Sequence, residues 1–178
     1  RDSLHNPNRK ENLMNHHKEL AKSYFLKGYN CAQSVVLAFH EELGLDEETA
    51  ARMASAFGGG MGRLREVCGT VSGMFLVLGL LKGYHEPKDQ DGKKALYAQV
   101  QQLAHTFQEQ NGSIICRELL GLDHPADSPI PSARTPEYYR KRPCADLAAD
   151  AADILEKHLR QENIQMTGNP PDFHHFPQ

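Results

Sequence analysis

Residues 67–81 place the strongest constraint on the fold of this chain. The segment is apolar on nearly every side, and Gly69, Gly73 and Gly79 are its small positions. A helix of this kind has no polar face to present to water, so we expect it in the middle of a helical bundle. At about fifteen residues it is too short to cross a bilayer. Each glycine costs roughly 1 kcal/mol relative to alanine in a helix, which indicates that neighbouring backbones pack closely there.

The composition favours a helical protein and excludes two other classes. Leucine and alanine far outnumber valine and isoleucine, so helix formers dominate the 178 residues. The 20 Lys and Arg residues against 23 Asp and Glu argue against a nucleic-acid partner. We find no span of about 20 apolar residues, which argues against membrane insertion. We therefore expect an all-α bundle of about six or seven helices around the buried 67–81 helix.

The two ends of the chain differ in character from its middle. Residues 1–12 and 161–178 are polar and rich in Pro, Asn and His, which is typical of terminal arms. Residues 13–160 show repeated helical periodicity and form one predicted cysteine-containing domain. The chain shows no signal-peptide hydrophobic region and no twin-Arg pair, so we expect a cytoplasmic location.

All four cysteines fall at predicted helix N-termini: Cys31, Cys68, Cys116 and Cys144. Asn30 is a good N-cap before the first of them, and Pro143 is a favoured first-turn residue before the last. Free N–H groups and the helix dipole stabilise a thiolate at such positions, so we expect thiol pKa values below the usual value of about 8.5. The alternative is that each cysteine is a small buried hydrophobe. Four helix starts out of four favour one shared site.

A glycine-rich run, Phe57-Gly58-Gly59-Gly60-Met61-Gly62-Arg63, precedes the second cysteine. It lacks both a GxxxxGK[ST] motif and a preceding strand, which argues against nucleotide binding. Glycines permit close backbone approach, so that N–H groups can reach a sulfur, a cluster or an anion. Arg63 and Arg65 would add positive charge, or are solvated surface residues; Glu66 is a proton acceptor or a helix-start charge. The predicted cofactor-binding wall consists of Gly58, Gly59, Gly60, Gly62, Arg63 and Gly69.

Three segments of the chain resemble the C_GCAxxG_C_C family, whose members carry four characteristic cysteines and a CGAxxG motif. The segments are residues 28–34 (GYNCAQS), 57–63 (FGGGMGR) and 68–73 (CGTVSG), and two single cysteines follow in the same order. Thr70 stands where the motif has alanine, a small-for-small change. The resemblance implies redox activity, with an iron–sulfur cluster or another metal as the cofactor, and no established substrate.

Several chemistries use four such cysteines. They can hold a cluster or a metal ion, cycle by thiol–disulfide exchange, or form structural disulfides. We favour a redox site, of oxidoreductase type, in which all four act as catalytic residues and metal ligands. The alternative is a non-catalytic metal-binding or carrier protein with structural cysteines. We assign no histidine as a ligand, and we leave open the electron donor or acceptor and whether the chain forms a homodimer.

Overall fold

The computed structural model describes residues 16–162, which form a bundle of eight α-helices. These are α1 (His16–Leu26), α2 (Cys31–Ala38), α3 (Glu47–Ala54), α4 (Gly69–Lys82), α5 (Gln90–Asn111), α6 (Cys116–Leu119), α7 (Pro136–Lys141) and α8 (Cys144–Gln161). A 3₁₀ helix, Ser55–Phe57, and the glycine-rich run join α3 to α4. The described residues contain no strand, so the predicted all-α fold is confirmed. The predicted N-terminal arm, and all but the first two residues of the predicted C-terminal arm, lie outside the described residues.

Helix α2 lies where most of the other helices meet. It packs against α1, α3, α4 and α8, and seven of its eight residues are buried. Its N-terminus is closed by a capping box: Asn30 accepts a hydrogen bond from the backbone N–H of Gln33, and the Gln33 side chain accepts one from the backbone N–H of Asn30. The predicted N-cap at Asn30 is therefore confirmed, and it positions the first cysteine.

The apolar 67–81 segment becomes helix α4, which begins at Gly69 rather than at Val67. Val67 is instead paired with Ile115 in an isolated antiparallel bridge, and Cys68 is the N-cap residue. Residues 69–74, Val77 and Leu78 are buried, whereas Phe75, Leu76, Leu80 and Leu81 are partly exposed. None of the helices among residues 16–162 is long and apolar enough to span a membrane.

The predicted close approach of backbones along α4 occurs at Gly73. A Cβ atom at this position would lie 2.8 Å from the carbonyl oxygen of Ala32 on α2. Because that oxygen belongs to the backbone of a buried helix, it has little freedom to move. Glycine therefore sets the distance between α2 and α4, and with it the distance between the elements that carry Cys31 and Cys68.

A buried ionic cluster joins α1 to α8 near the C-terminal end of α2, where the His17 ring stacks on Phe39. His17 lies between two carboxylates: its Nε2 is 2.5 Å from Oε1 of Glu42, and its Nδ1 is 3.1 Å from Oε2 of Glu156. The second contact is an ion pair without hydrogen-bond geometry. Glu156 is fully buried and also accepts a hydrogen bond from Arg160 at 2.6 Å. Although burial alone would lower the pKa of His17, the two carboxylates raise it to about 9.

Candidate functional site: four cysteines around one cavity

The four cysteines line a single cavity of about 270 Å³. Cys31, Cys116 and Cys144 are the first residues of α2, α6 and α8, and Cys68 is the N-cap of α4. The prediction that all four cysteines lie at helix N-termini is confirmed, and all four line the same cavity. The site thus draws on four helices that are separated in sequence and brought together only by the tertiary fold.

A short backbone pairing places Cys68 beside Cys116. The N–H of Cys68 donates to the carbonyl of Ile114 at 2.8 Å, and the N–H of Cys116 donates to the carbonyl of Glu66 at 2.6 Å. These bonds flank the Val67–Ile115 bridge. Backbone hydrogen bonds therefore hold the segment that carries Cys68 directly against the segment that carries Cys116.

Two glycines leave space for the cysteine side chains. A Cβ atom at Gly69 would lie 2.6 Å from Sγ of Cys31, and a Cβ atom at Gly60 would lie 2.6 Å from Cβ of Cys116. Both separations are far below van der Waals contact. A side chain larger than glycine at position 69 would therefore occupy the space of the Cys31 side chain, and one at position 60 would occupy the space of the Cys116 side chain.

The glycine-rich run forms a left-handed turn. Residues 59–63 all have positive φ angles, between 60° and 70°. Glycine adopts this conformation readily, but Met61 and Arg63 do so at a cost of roughly 1–2 kcal/mol each. Arg65, two residues further on, also has a positive φ of 59°. Backbone strain of this kind is concentrated at functional sites. In this turn the strained backbone places Gly60 against the side chain of Cys116.

Burial raises the thiol pKa of Cys68, Cys116 and Cys144. It raises the pKa of Cys68 to about 12, with a further increase from the charge of Cys31, and it also raises the pKa of Cys116. Burial likewise raises the pKa of Cys144 to about 12, opposed by the charges of Arg142 and Arg134. The expectation of lowered pKa values is therefore wrong for these three cysteines. Desolvation of a thiolate outweighs the favourable field of a helix N-terminus.

Two of the four sulfurs contact polar side chains: Sγ of Cys116 contacts Arg65, and Sγ of Cys68 contacts Thr70. Arg65 is buried and its Nη1 donates to Sγ of Cys116 at 3.6 Å. Asp127 holds the same guanidinium by a hydrogen bond of 2.7 Å from Nε and an ion pair of 2.6 Å at Nη2. Sγ of Cys68 lies 3.1 Å from Oγ1 of Thr70. The positive charge expected from Arg65 is therefore present, although it is buried and anchored rather than solvated.

A second basic group closes the cavity on the side of α7. The ring of Tyr138 lies 4.9 Å from the guanidinium of Arg134 and 5.5 Å from that of Arg142, and all three residues line the cavity. Arg134 also lies over Phe25 at 4.4 Å and donates from Nη2 to the carbonyl of Tyr29. No Asp or Glu is among the described residues that line the cavity. The cavity wall therefore carries net positive charge.

The predicted wall residues are partly in place. Gly58, Gly59, Gly62 and Arg63 line the cavity, whereas Gly60 and Gly69 pack directly behind Cys116 and Cys31. Arg63 donates hydrogen bonds to the carbonyl of Ser128 and to Oγ of Ser132.

One candidate residue lies outside the cavity, and four residues that line the cavity or support it were not predicted. Glu66 forms a surface ion pair with Arg117 at 3.1 Å and does not line the cavity. The sequence analysis missed Asp127, Arg134, Tyr138 and Arg142. Their segment is a proline-rich loop and a short helix, and it carries no motif that would have revealed them.

The described cysteines are neither bonded to one another nor gathered around one point. All four are free, with no disulfide among them. Within residues 16–162, no group of three or more His, Cys, Asp or Glu side chains is arranged to hold a metal ion. The four cysteines are therefore free thiols that share one cavity.

The fold and the site together define an all-α protein with four free cysteines at helix N-termini around one basic cavity. The chain belongs to the family described as "Putative redox-active protein (C_GCAxxG_C_C)", whose family model matches residues 29–158. Comparison with the curated proteins found no match, and neither did comparison with the solved structures. The matched range contains all four cysteines and the glycine-rich run.

Proposed function

We propose that this protein is an electron-transfer protein that binds an iron–sulfur cluster through Cys31, Cys68, Cys116 and Cys144. The observation that carries the proposal is the convergence of four unpaired cysteines, from four different helices, on one cavity of about 270 Å³. Four cysteine thiolates are the usual ligand set of such clusters. When bound, the cluster would supply one-electron transfer.

The chemistry of the surrounding residues suits a ligand set that must become negatively charged. Buried thiols with raised pKa values ionise together only if a cation enters among them, because each new thiolate opposes the next. Arg65 supplies a hydrogen bond and a positive charge to Cys116. Gly60 and Gly69 leave the space that the two neighbouring cysteine side chains need.

A single metal ion is the less favoured ligand. A tetrahedral zinc site would bring four sulfurs to about 2.3 Å from one ion, and the described side chains have no such arrangement. A non-catalytic metal carrier remains the alternative function. Thiol–disulfide exchange is the second redox chemistry, favoured by the partial exposure of Cys144. We place the protein in the cytoplasm, since a reducing compartment keeps four cysteines available as ligands.

The test is the cofactor content of protein purified without oxygen and reconstituted with iron and sulfide. We expect iron and acid-labile sulfide in near-equal amounts, and a broad visible absorption band that bleaches on reduction. The variant Cys68→Ser should lose most of the iron while its far-UV circular dichroism is retained. Ala38→Ser introduces the same hydroxyl at a buried site outside the cavity and should retain the iron.

The outcomes separate the candidate functions. Zinc without sulfide and without a redox-sensitive band would support the metal carrier instead. Absence of any metal, with two thiols lost on mild oxidation and regained on reduction, would support thiol–disulfide exchange. Equal iron content in Cys68→Ser and the parent protein would contradict the assignment of Cys68 as a ligand.

A further inference from the structure

The cavity contains two arginines whose charge no carboxylate offsets. In the described part of the chain, Arg142 forms no ion pair or hydrogen bond through its side chain, and its ring contact is with Tyr138 at 5.5 Å. Arg134 donates one hydrogen bond, to the carbonyl of Tyr29, and its buried Nη1 has no hydrogen-bond partner. By contrast, Arg63 and Arg65 share Asp127. The pair on the α7 side is therefore left with unused donors.

The guanidinium groups of Arg134 and Arg142 both lie within 5.5 Å of the centre of the Tyr138 ring, so their positive charges repel each other. Such an arrangement is costly in a half-buried position unless an anion lies close to both. The Tyr138 ring offsets part of the cost through cation–π contacts, but it accepts no hydrogen bond from either guanidinium. The planar fork of arginine matches a pair of oxygens on a carboxylate or an oxyanion.

The surroundings set the size and character of the ligand. The same cavity is lined by Phe25, Leu119, Leu120 and Leu147, which suit a small apolar body. Its volume of about 270 Å³ admits a molecule of a few heavy atoms rather than a nucleotide or a peptide. Cys144, the partly exposed cysteine, is the one on which the charges of both arginines act.

We propose that Arg134 and Arg142 form a binding site for a small oxyanion-bearing molecule, a carboxylate or an inorganic oxyanion, beside Cys144. The two guanidinium groups bind its oxygens, and the apolar wall accommodates the remainder. That this molecule is the substrate of the redox site rests on the proposed function. The binding of the anion does not rest on the proposed function, because the two residues that bind it, Arg134 and Arg142, are not cysteines.

The test measures the binding of sulfate and of propionate to the reduced, metal-free protein at constant ionic strength. Calorimetric titration should give saturable binding of at least one of the two anions. If sulfate binds and propionate does not, the ligand is an inorganic oxyanion; the reverse result indicates a carboxylate. The neutral amide propionamide should not bind.

Variants locate the site. Arg142→Gln should weaken binding about tenfold or more, since a charge-assisted hydrogen bond is lost. Arg140→Gln removes an exposed arginine of α7, two residues before Arg142 and outside the cavity, and should change binding less than about twofold. Arg134→Lys keeps the charge but loses the fork, and it should weaken binding without unfolding the protein.

Two results would overturn this inference. One is the absence of saturable binding of either anion, and the other is equal binding by Arg142→Gln and Arg140→Gln. Neither depends on iron content, so failure of the cluster proposal leaves this test intact. Conversely, a protein that binds iron and sulfide but no anion would retain the proposed function and lose the anion site.

Discussion

The Thr70 hydroxyl contacts the most deeply buried cysteine of the site. Its Oγ1 lies 3.1 Å from Sγ of Cys68, a residue that is only 4% exposed. Hydrogen bonds to cysteine sulfur stabilise the more negative, reduced state of a thiolate or cluster. The family motif has alanine here, so this chain has a sulfur contact that the motif itself does not provide.

Replacing Thr70 with valine should therefore lower the midpoint potential of the proposed redox site. The change keeps the shape of the side chain and removes one hydrogen bond worth about 1 kcal/mol, which corresponds to roughly 40 mV for a one-electron couple. A redox titration monitored by visible absorption measures the shift. Ser72→Ala removes a buried hydroxyl from the same helix without a sulfur contact and should leave the potential unchanged. Equal potentials for Thr70→Val and Ser72→Ala would contradict this role of Thr70.

At the scale of the element, α4 shows how position along one helix decides the role of a glycine. A Cβ atom at Gly69 would meet Sγ of Cys31 at 2.6 Å and the carbonyl oxygen of Phe57 at 2.8 Å. A Cβ atom at Gly79 would have nothing within 4 Å. The same residue type is thus required by the site at the start of the helix and is dispensable near its end.

The two alanine variants should have opposite effects on stability. Gly69→Ala is expected to lower the free energy of unfolding by about 1–3 kcal/mol through overpacking, and to displace Cys31 so that iron binding is lost. Gly79→Ala is expected to raise it by about 0.5–1 kcal/mol, because alanine loses less backbone entropy in a helix. Urea denaturation of both variants gives the comparison. A Gly69→Ala protein that is stabilised and keeps its full iron content would contradict the requirement for glycine beside Cys31.

For the whole molecule, the buried cluster of His17, Glu42 and Glu156 makes stability depend on pH. The pKa of His17 is raised from 6.5 to about 9, so its contribution is fully present below about pH 6.5 and is lost as the pH rises through 9. The partner charge of His17 lowers the pKa of both carboxyls, against the effect of their burial. Their contribution is present above about pH 4.5 and is lost as the pH falls below it.

Stability should therefore be greatest between about pH 4.5 and 6.5, and it should fall by about 3 kcal/mol towards alkaline pH through His17. His17→Gln should remove this alkaline decrease, with the largest loss of stability near pH 6 and little loss near pH 10. His105 is exposed on α5, so His105→Gln should leave the pH profile unchanged. Free energies of unfolding measured by urea across this range test the expectation. An unaltered alkaline slope in His17→Gln would assign the pH dependence to other groups.

Local sequence alone determined the helices and where the cysteines lie on them. Asn30 and Asp46 are N-caps because their side chains accept hydrogen bonds from the next turn, an interaction confined to a few residues. Such short-range chemistry can be predicted from spacing, and it correctly placed each cysteine at a helix N-terminus. The apolar character of residues 67–81 likewise predicted a packed helix.

Only the tertiary structure decided the properties of the site that depend on burial and on distant neighbours. The pKa values of the Cys68 and Cys144 thiols rise because packing removes water from these sulfurs, a desolvation that no local motif encodes. Arg65 reaches Cys116, and Arg134 and Arg142 reach the cavity, across long separations in sequence. His17, which the sequence presents as one of an adjacent pair, becomes a buried cation because Glu42 and Glu156 approach it from other helices and loops. Electrostatics and solvation depend on three-dimensional distance, and the sequence gives that distance only within a helical turn or a short loop.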